Sequence, residues 1–261
     1  MLENLRDLVD TKLGKRSTTQ AIPAIPTLPG LSRNDLHEAM QLAGMVQLST
    51  HKQYTPDVSE MSAAFAGMGY GLCEHYTDHE ACEDEEAQMP IRHVLALSFS
   101  HASFSIAYSN ARTAYSPNPE MGVTDFDLGL DHLPLSRDHQ GVFWKKIHDE
   151  VVHFLHVCST KRKPITTLLV FGEGANYPTF KATVRNALLE LKAACDVDTL
   201  METAEMRSTG KDPVYIVAEG AAIFAKRSQE SAPGCIEPSW CRDILLPDYI
   251  DKGQQQLSED L

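Results

Sequence analysis

Between Val170 and Asn176 the chain reads VFGEGAN, and this stretch constrains the fold more than any other. Residues 166–171 (TTLLVF) form an almost unbroken apolar, β-branched run, the pattern of a strand covered on both faces. Gly172 and Gly174 then permit a sharp turn and a close approach of backbone to a ligand. Asn176 is placed to cap the next helix and Pro178 suits its first turn, while Phe180, Val184, Ala187, Leu188 and Leu191 recur at helical spacing along one face. Such a helix points its free N–H groups at whatever the glycines admit. The unit is that of a nucleotide-binding lobe or, standing alone, of a plain tight turn.

The neighbouring segments supply a context for it. DPVYIVAEGAAIFAKR (212–227) predicts a helix opened by Asp212 and Pro213, with Val217, Ala221, Phe224 and Ala225 on its core face and Gly220 and Ala222 allowing close packing. HVLALSFSHASFSIAYS (93–109) predicts two short strands around a polar turn near Ser100 and His101. SRNDLHEAMQLAGMVQL (32–48) reads as helix, stop at Gly44, then strand; MSAAFAGMGYGLCEHY (61–76) reads as a small-residue helix with Ala64, Phe65, Met68 and Leu72 on one face. A helix near 139–158 would bury Val142, Phe143, Ile147, Val151, Phe154, Leu155 and Cys158, leaving His148, His153 and His156 on its polar side. The expected core is an α/β mixed sheet. The hairpin near 93–109 pairs with a further strand near 111–116, strand 166–171 joins in parallel, and helices near 139–158, 178–192 and 213–228 cover the sheet.

In order and content, residues 33–230 resemble the second half of the ATPase domain of DnaK-type heat-shock chaperones, members of the actin and sugar-kinase superfamily, and look most like a divergent, truncated group of such proteins from fungi. The resemblance implies a ribonuclease-H-like, actin-like ATPase lobe with a remnant of the first lobe. It divides the chain into an N-terminal helix (Leu2–Leu13) and extended proline-rich connector over 1–31, a truncated ATPase-type domain over 32–251, and a frayed polar tail over 252–261. In the family a Gly-rich β-hairpin holds phosphates and a G-G-x-x-x-x-P turn holds the adenosine. Gly172, Glu173, Gly174, Asn176 and Pro178 match the second motif. At the first stand Ser98, Phe99, Ser100, His101, Ala102 and Ser103, without a glycine or a metal-orienting carboxylate. The family's opening D-x-G-T-x hairpin, the sheet that follows it and its catalytic lysine or carboxylate have no counterpart in the about thirty residues before the first matching helix. ATP hydrolysis is therefore expected to be lost, and no cofactor or metal is expected.

Composition narrows the partners. A net charge of -13 disfavours nucleic acid and anionic membranes, and no apolar run approaches a membrane span. With no signal-peptide layout, the expectation is a cytoplasmic protein whose six cysteines are free thiols, although Cys235 and Cys241 could close a local loop. Much of the negative charge falls in His79–Glu86 (HEACEDEE), read as a solvated loop. Cys73, His75, His79 and Cys82 are residue types that suit tetrahedral zinc, but their spacing is not that of a common zinc module and an exposed loop is the simpler reading.

Placed by the resemblance, the cleft floor carries Phe99, His101, Phe104, Phe171, Glu173, Asn176 and Tyr177, a mixture of apolar walls and a few hydrogen-bonding groups. The expectation is a cofactor-independent cyclase or isomerase, most concretely a Diels–Alder-type catalyst in fungal natural-product biosynthesis. His101, Glu173, Asn176 and Tyr177 would be catalytic, while Phe99, Phe104, Phe171, Gly172 and Gly174 would hold an apolar substrate. The alternatives are a pseudo-ATPase interaction module, of which a homodimer is one form, and a residual nucleotide binder.

Overall fold

The computed structural model describes residues 2–14, 19–26, 28, 31–48, 58–115, 121–159, 164–192, 196–208 and 210–230. Helix α1 (Leu2–Leu13) leads into two short strands, β1 (Gln20–Ala21) and β2 (Ala24–Ile25), followed by α2 (Arg33–Leu42), β3 (Val46–Gln47) and β4 (Val58–Ser59). The β1 strand pairs in parallel with β3, and β2 with β4. The connector is thus extended at Gln20–Ala21 and Ala24–Ile25, in keeping with Pro23 and Pro26. At α2 a capping box fixes the start: the Asp35 N–H donates to Ser32 Oγ at 3.2 Å and the Ser32 N–H to the Asp35 carboxylate at 2.8 Å. Gly44, at φ +68°, turns the chain just beyond it.

The main body comprises α3 (Glu60–Gly67), α4 (His79–Gln88), β5 (Arg92–Phe99), β6 (Phe104–Ala111), β7 (Met121–Asp125), α5 (Arg137–Ser159), β8 (Thr167–Phe171), α6 (Pro178–Glu190), α7 (Val197–Ser208) and α8 (Ile216–Glu230). Its sheet runs in the order β7-β6-β5-β8, antiparallel at the first two pairings and parallel between β5 and β8. That meander with a parallel fourth strand is a ribonuclease-H-like mixed sheet. Strand alternation divides the core. Leu95, Leu97 and Phe99 of β5 and Leu168 of β8 join the layer formed with α5, α6 and α7; Val94, Ala96, Leu169 and Phe171 face α3 and α8. Burial on both faces is what the TTLLVF run predicts.

Several expectations need correction. The third strand is Met121–Asp125, not 111–116, and Ala114 instead donates its N–H to the Gly71 carbonyl at 2.7 Å. Helix α3 stops at Gly67, because Gly69 and Gly71 take left-handed conformations that leave Leu72 outside the helix. His79–Glu86 is not a loop but most of α4, started by Asp78, whose Oδ1 accepts the Ala81 N–H at 3.2 Å. Helix α6 is capped at Tyr177 and not Asn176. On α5, Val142 is exposed and Trp144 takes its place in the core; His153 and His156 lie on the exposed side, while His148 is half-buried beside Asp149 and Glu190. Ala222 is exposed on α8. The Cys235–Cys241 loop and the polar tail lie outside the described residues.

Helices α3 and α8 cross with their backbones in contact. A Cβ at Gly220 would overlap the Ala63 carbonyl, and one at Gly67 would overlap the Ile216 carbonyl. Replacing Gly220 by Ala should therefore destabilise the fold by about 1–3 kcal/mol through overpacking. An exposed helical glycine would instead gain about 1 kcal/mol from the same change. Chemical denaturation distinguishes the two signs.

Candidate functional site

The glycine turn after β8 packs against Phe99 and leaves little of its backbone for a ligand. Gly172 adopts φ +95°, and a Cβ there would press on the Phe99 backbone; a Cβ at Gly174 would overlap the Phe99 ring. The Gly172 N–H donates to the Pro213 carbonyl at 3.1 Å, Gly174 to Phe99 at 2.8 Å, Ala175 to Gly172 at 3.1 Å and Tyr177 to Gly174 at 3.0 Å. Four N–H groups of the turn are thus satisfied within the chain. Glu173 and Asn176 are exposed at its surface, and Tyr177 is partly exposed beside Trp144.

The β5–β6 turn is closed in the same manner. The Ser100 N–H donates to the Ser103 carbonyl at 2.9 Å, and the Ser103 N–H to Ser100 Oγ at 3.1 Å. A short 3-10 segment (Leu130–His132) clamps it from outside, with the Leu130 N–H on the Ser100 carbonyl at 2.9 Å and the Asp131 N–H on the His101 carbonyl at 3.0 Å. His101 is exposed, with Nδ1 2.9 Å from Asp131; that hydrogen bond above all holds its pKa above the usual imidazole value, and the nearby Asp131 and Glu173 charges act in the same direction.

The aromatic wall does not form as expected. Phe99 and Phe104 are buried in the layer under α5 and α6, in ring contact with each other and with Phe180, whereas Phe171 is buried on the opposite face of the sheet. Strand alternation forces the separation, since Phe171 is in register with Ser98 and not with Phe99.

On the Phe171 face lies a group that sequence reasoning missed. Glu60, the first residue of α3, is half-buried and accepts a hydrogen bond from Ser98 Oγ at 3.1 Å. Burial pushes its carboxyl up to about 7; the Ser98 hydrogen bond opposes the shift and the Glu173 charge adds to it. Ser105 and Thr124 sit alongside with their hydroxyl oxygens 3.0 Å apart, and Ile25 and Pro26 of the connector reach the same cavity. The space measures about 20 Å³, room for a single water. Ser98 and Ser105 are the cross-strand pair one step before the turn, so their approach was readable from the hairpin. No sequence signal marked Glu60, because its burial follows from the connector crossing over it.

A second cavity of about 230 Å³ opens at the other end of β8, lined by Tyr70, Ile165, Thr167, Leu168, Thr199 and Leu200 among others. It contains none of the residues expected in the site.

No family model matches the sequence, and comparison with curated proteins yields no match. Among solved structures, the chain is similar to the ethanolamine utilization protein EutJ from Carboxydothermus hydrogenoformans, with 14% identity and a TM-score of 0.44 over 85% of this chain and 72% of that one. It is also similar to a chain of the PilM-PilN type IV pilus biogenesis complex, with 15% identity and a TM-score of 0.42, covering 77% of this chain and 58%, under two thirds, of that one. The strand order described above, rather than either likeness, identifies the sheet as ribonuclease-H-like.

Glu60 makes stability depend on pH. Its folded-state pKa of about 7 lies above the ordinary 4.5, so the folded chain retains a proton that the unfolded chain has released, and stability falls as pH rises through that window. Glu60→Gln should remove this slope, narrowing the loss between about pH 5 and about pH 8 by at most about 3 kcal/mol. Urea denaturation of both proteins at the two pH values measures it; parallel profiles would show that the carboxyl titrates normally.

Proposed function

We propose that the chain is a chaperone-like ATPase fold that has left nucleotide turnover and works in the cytoplasm as a cofactor-independent cyclase or isomerase. Its substrate is an apolar small molecule, and the reaction is of the Diels–Alder type found in fungal natural-product pathways. The observation that supports this reading is Glu60. A carboxyl that titrates near neutrality is substantially protonated at cellular pH and can donate a hydrogen bond to a substrate carbonyl, which an ordinary carboxylate cannot. Ser98 holds it from one side, and Glu173, with His101 at the rim, adds polar groups around the same sheet end. Asn176 and Tyr177 are exposed on the glycine turn that carries Glu173. Phe171 supplies an apolar wall to the Glu60 cavity. Access for a substrate requires Ile25 and Pro26 to move aside, since the space beneath them holds only about one water.

The small cavity favours a second reading. A non-catalytic pseudo-ATPase that binds a protein, including a second copy of itself, needs no internal volume. Exposed Phe126, Leu135, Val142 and Tyr177 on the segments around α5 and α6 are apolar side chains that such a partner would cover.

Native mass spectrometry of the purified chain separates the two readings. A co-purifying small molecule that is lost in Glu60→Trp, which fills the cavity, supports the enzyme; a ligand-free dimer supports the module. Isothermal calorimetry with ATP and magnesium should show no micromolar binding, because the turn N–H groups are occupied and the hairpin lacks both glycine and acid. Binding with turnover would instead make the chain a nucleotide enzyme. Once a substrate is known, removing the hydrogen-bonding group of Glu60, His101 or Glu173 singly should lower the rate by no more than about two to three orders of magnitude.

A further inference from the structure

Away from the cleft, the loop leaving α3 returns to the flank of α8 and sets Cys73 against Cys82 of α4, where the two form a disulfide. Glu86 stands one helical turn beyond Cys82, with its carboxylate oxygen 3.7 Å from the Cys82 sulfur. The ligand atoms of Cys73, Cys82 and Glu86 all lie within 4.8 Å of one another, the only such group among the described residues. We infer that in the reduced chain Cys73, Cys82 and Glu86 hold a zinc-like cation, and that the disulfide seen here is the metal-free, oxidised state of that site.

The chemistry of the donors carries the assignment. Two thiolates and one carboxylate suit zinc and other thiophilic divalent ions, and they do not suit magnesium or calcium. His79 is three residues before Cys82, on the same face of α4, and is half-buried; it or a water can fill the fourth tetrahedral position. Its imidazole now lies 3.5 Å from Glu83. His75 is engaged with Glu85 and does not belong to the set. Arg227 of α8 supplies the missing charge balance. Its guanidinium lies over the Tyr76 ring at 4.5 Å and places Nη1 3.7 Å from the Cys73 sulfur. A dication with two thiolates and a carboxylate carries one net negative charge, which this cation offsets.

The interconversion balances. Closing the site transfers two electrons from the Cys73 and Cys82 thiolates to a small-molecule disulfide such as oxidised glutathione: one S–S bond forms in the protein, the co-reactant's S–S bond breaks, its two sulfurs leave as thiols after taking up two protons from water, and the metal ion leaves. A dithiol reductant reverses it. The site therefore reports the thiol poise of its surroundings independently of the cleft and of any reading of the cleft.

The test uses the full chain, reduced with a phosphine in the absence of oxygen and titrated with zinc against a chromophoric chelator, then with cobalt. One equivalent should bind tightly, and the cobalt form should show a thiolate-to-metal charge-transfer band in the near ultraviolet. Cys82→Ser should weaken zinc binding by at least about 100-fold, and Glu86→Gln by about tenfold or more, the scale on which even outer-shell changes act. Oxidised glutathione should release the zinc and yield a Cys73–Cys82 cross-linked peptide by mass spectrometry. The other four cysteines are common to wild type and variants, so the difference isolates this pair. Equal zinc affinity in wild type and Cys82→Ser, or a cobalt spectrum lacking the thiolate band, would overturn the proposal. Glu86→Gln leaves both thiols in place, so its unchanged affinity would remove Glu86 from the ligand set even if the cysteine variant failed to fold.

Discussion

The packing of one ring, Phe99, governs the end of the sheet where a ligand would be sought. It is fully buried and contacts Phe104, Phe143, Trp144 and Phe180, the last with centroids 4.7 Å apart. An aromatic cluster of this kind contributes through buried area and through edge-to-face contacts of about 0.5–1.5 kcal/mol each. The glycine turn then has to pass directly over the ring. Gly172 and Gly174 are required because any side chain there would collide with Phe99, and the Gly174 N–H is tied to its carbonyl. What reads in the sequence as room made for a ligand is, in three dimensions, room made for a phenylalanine.

The small cavity beside Glu60 accordingly lies on the other face of the sheet, with Phe171. With both turns closed on themselves, the polar groups that line this cavity include Glu60, Ser98, Ser105 and Thr124, on the side that α3 and the connector share. The position is set by backbone geometry: β2 pairs with β4, β4 runs directly into α3, and Glu60 is the residue at that junction. A charge placed there is costly unless it is neutral or compensated, and the raised pKa is the expected response.

The elements with strong periodicity were legible in the sequence. The hairpin, strand 167–171, and helices α5, α6 and α8 all have apolar positions that repeat at the period of their structure. Helix α4 was not, because HEACEDEEAQ has no apolar stripe; its evidence is the Asp78 cap and a run of good helix formers, and its charge disguised both. Helix α7 had no reading at all, with Val197, Leu200 and Ala204 its only buried apolar residues. For the candidate site, the sequence pointed to the sheet end that carries His101 and Glu173, but assigned the walls without regard to which face each phenylalanine occupied. The Cys73–Cys82 pairing depends on a fold-back through left-handed glycines that no local pattern encodes.

The cavity beside β8 has a consequence for local stability apart from any ligand. At this side the sheet ends, and α7 packs against the last strand without filling the space between Ile165–Leu168 and Asp196–Ala204. Because the space is open to solvent, water reaches the apolar seam between Leu200 and Leu168. Helix α7, whose buried apolar anchors are Val197, Leu200 and Ala204, is thereby placed to detach by local opening and to exchange its amide hydrogens without global unfolding.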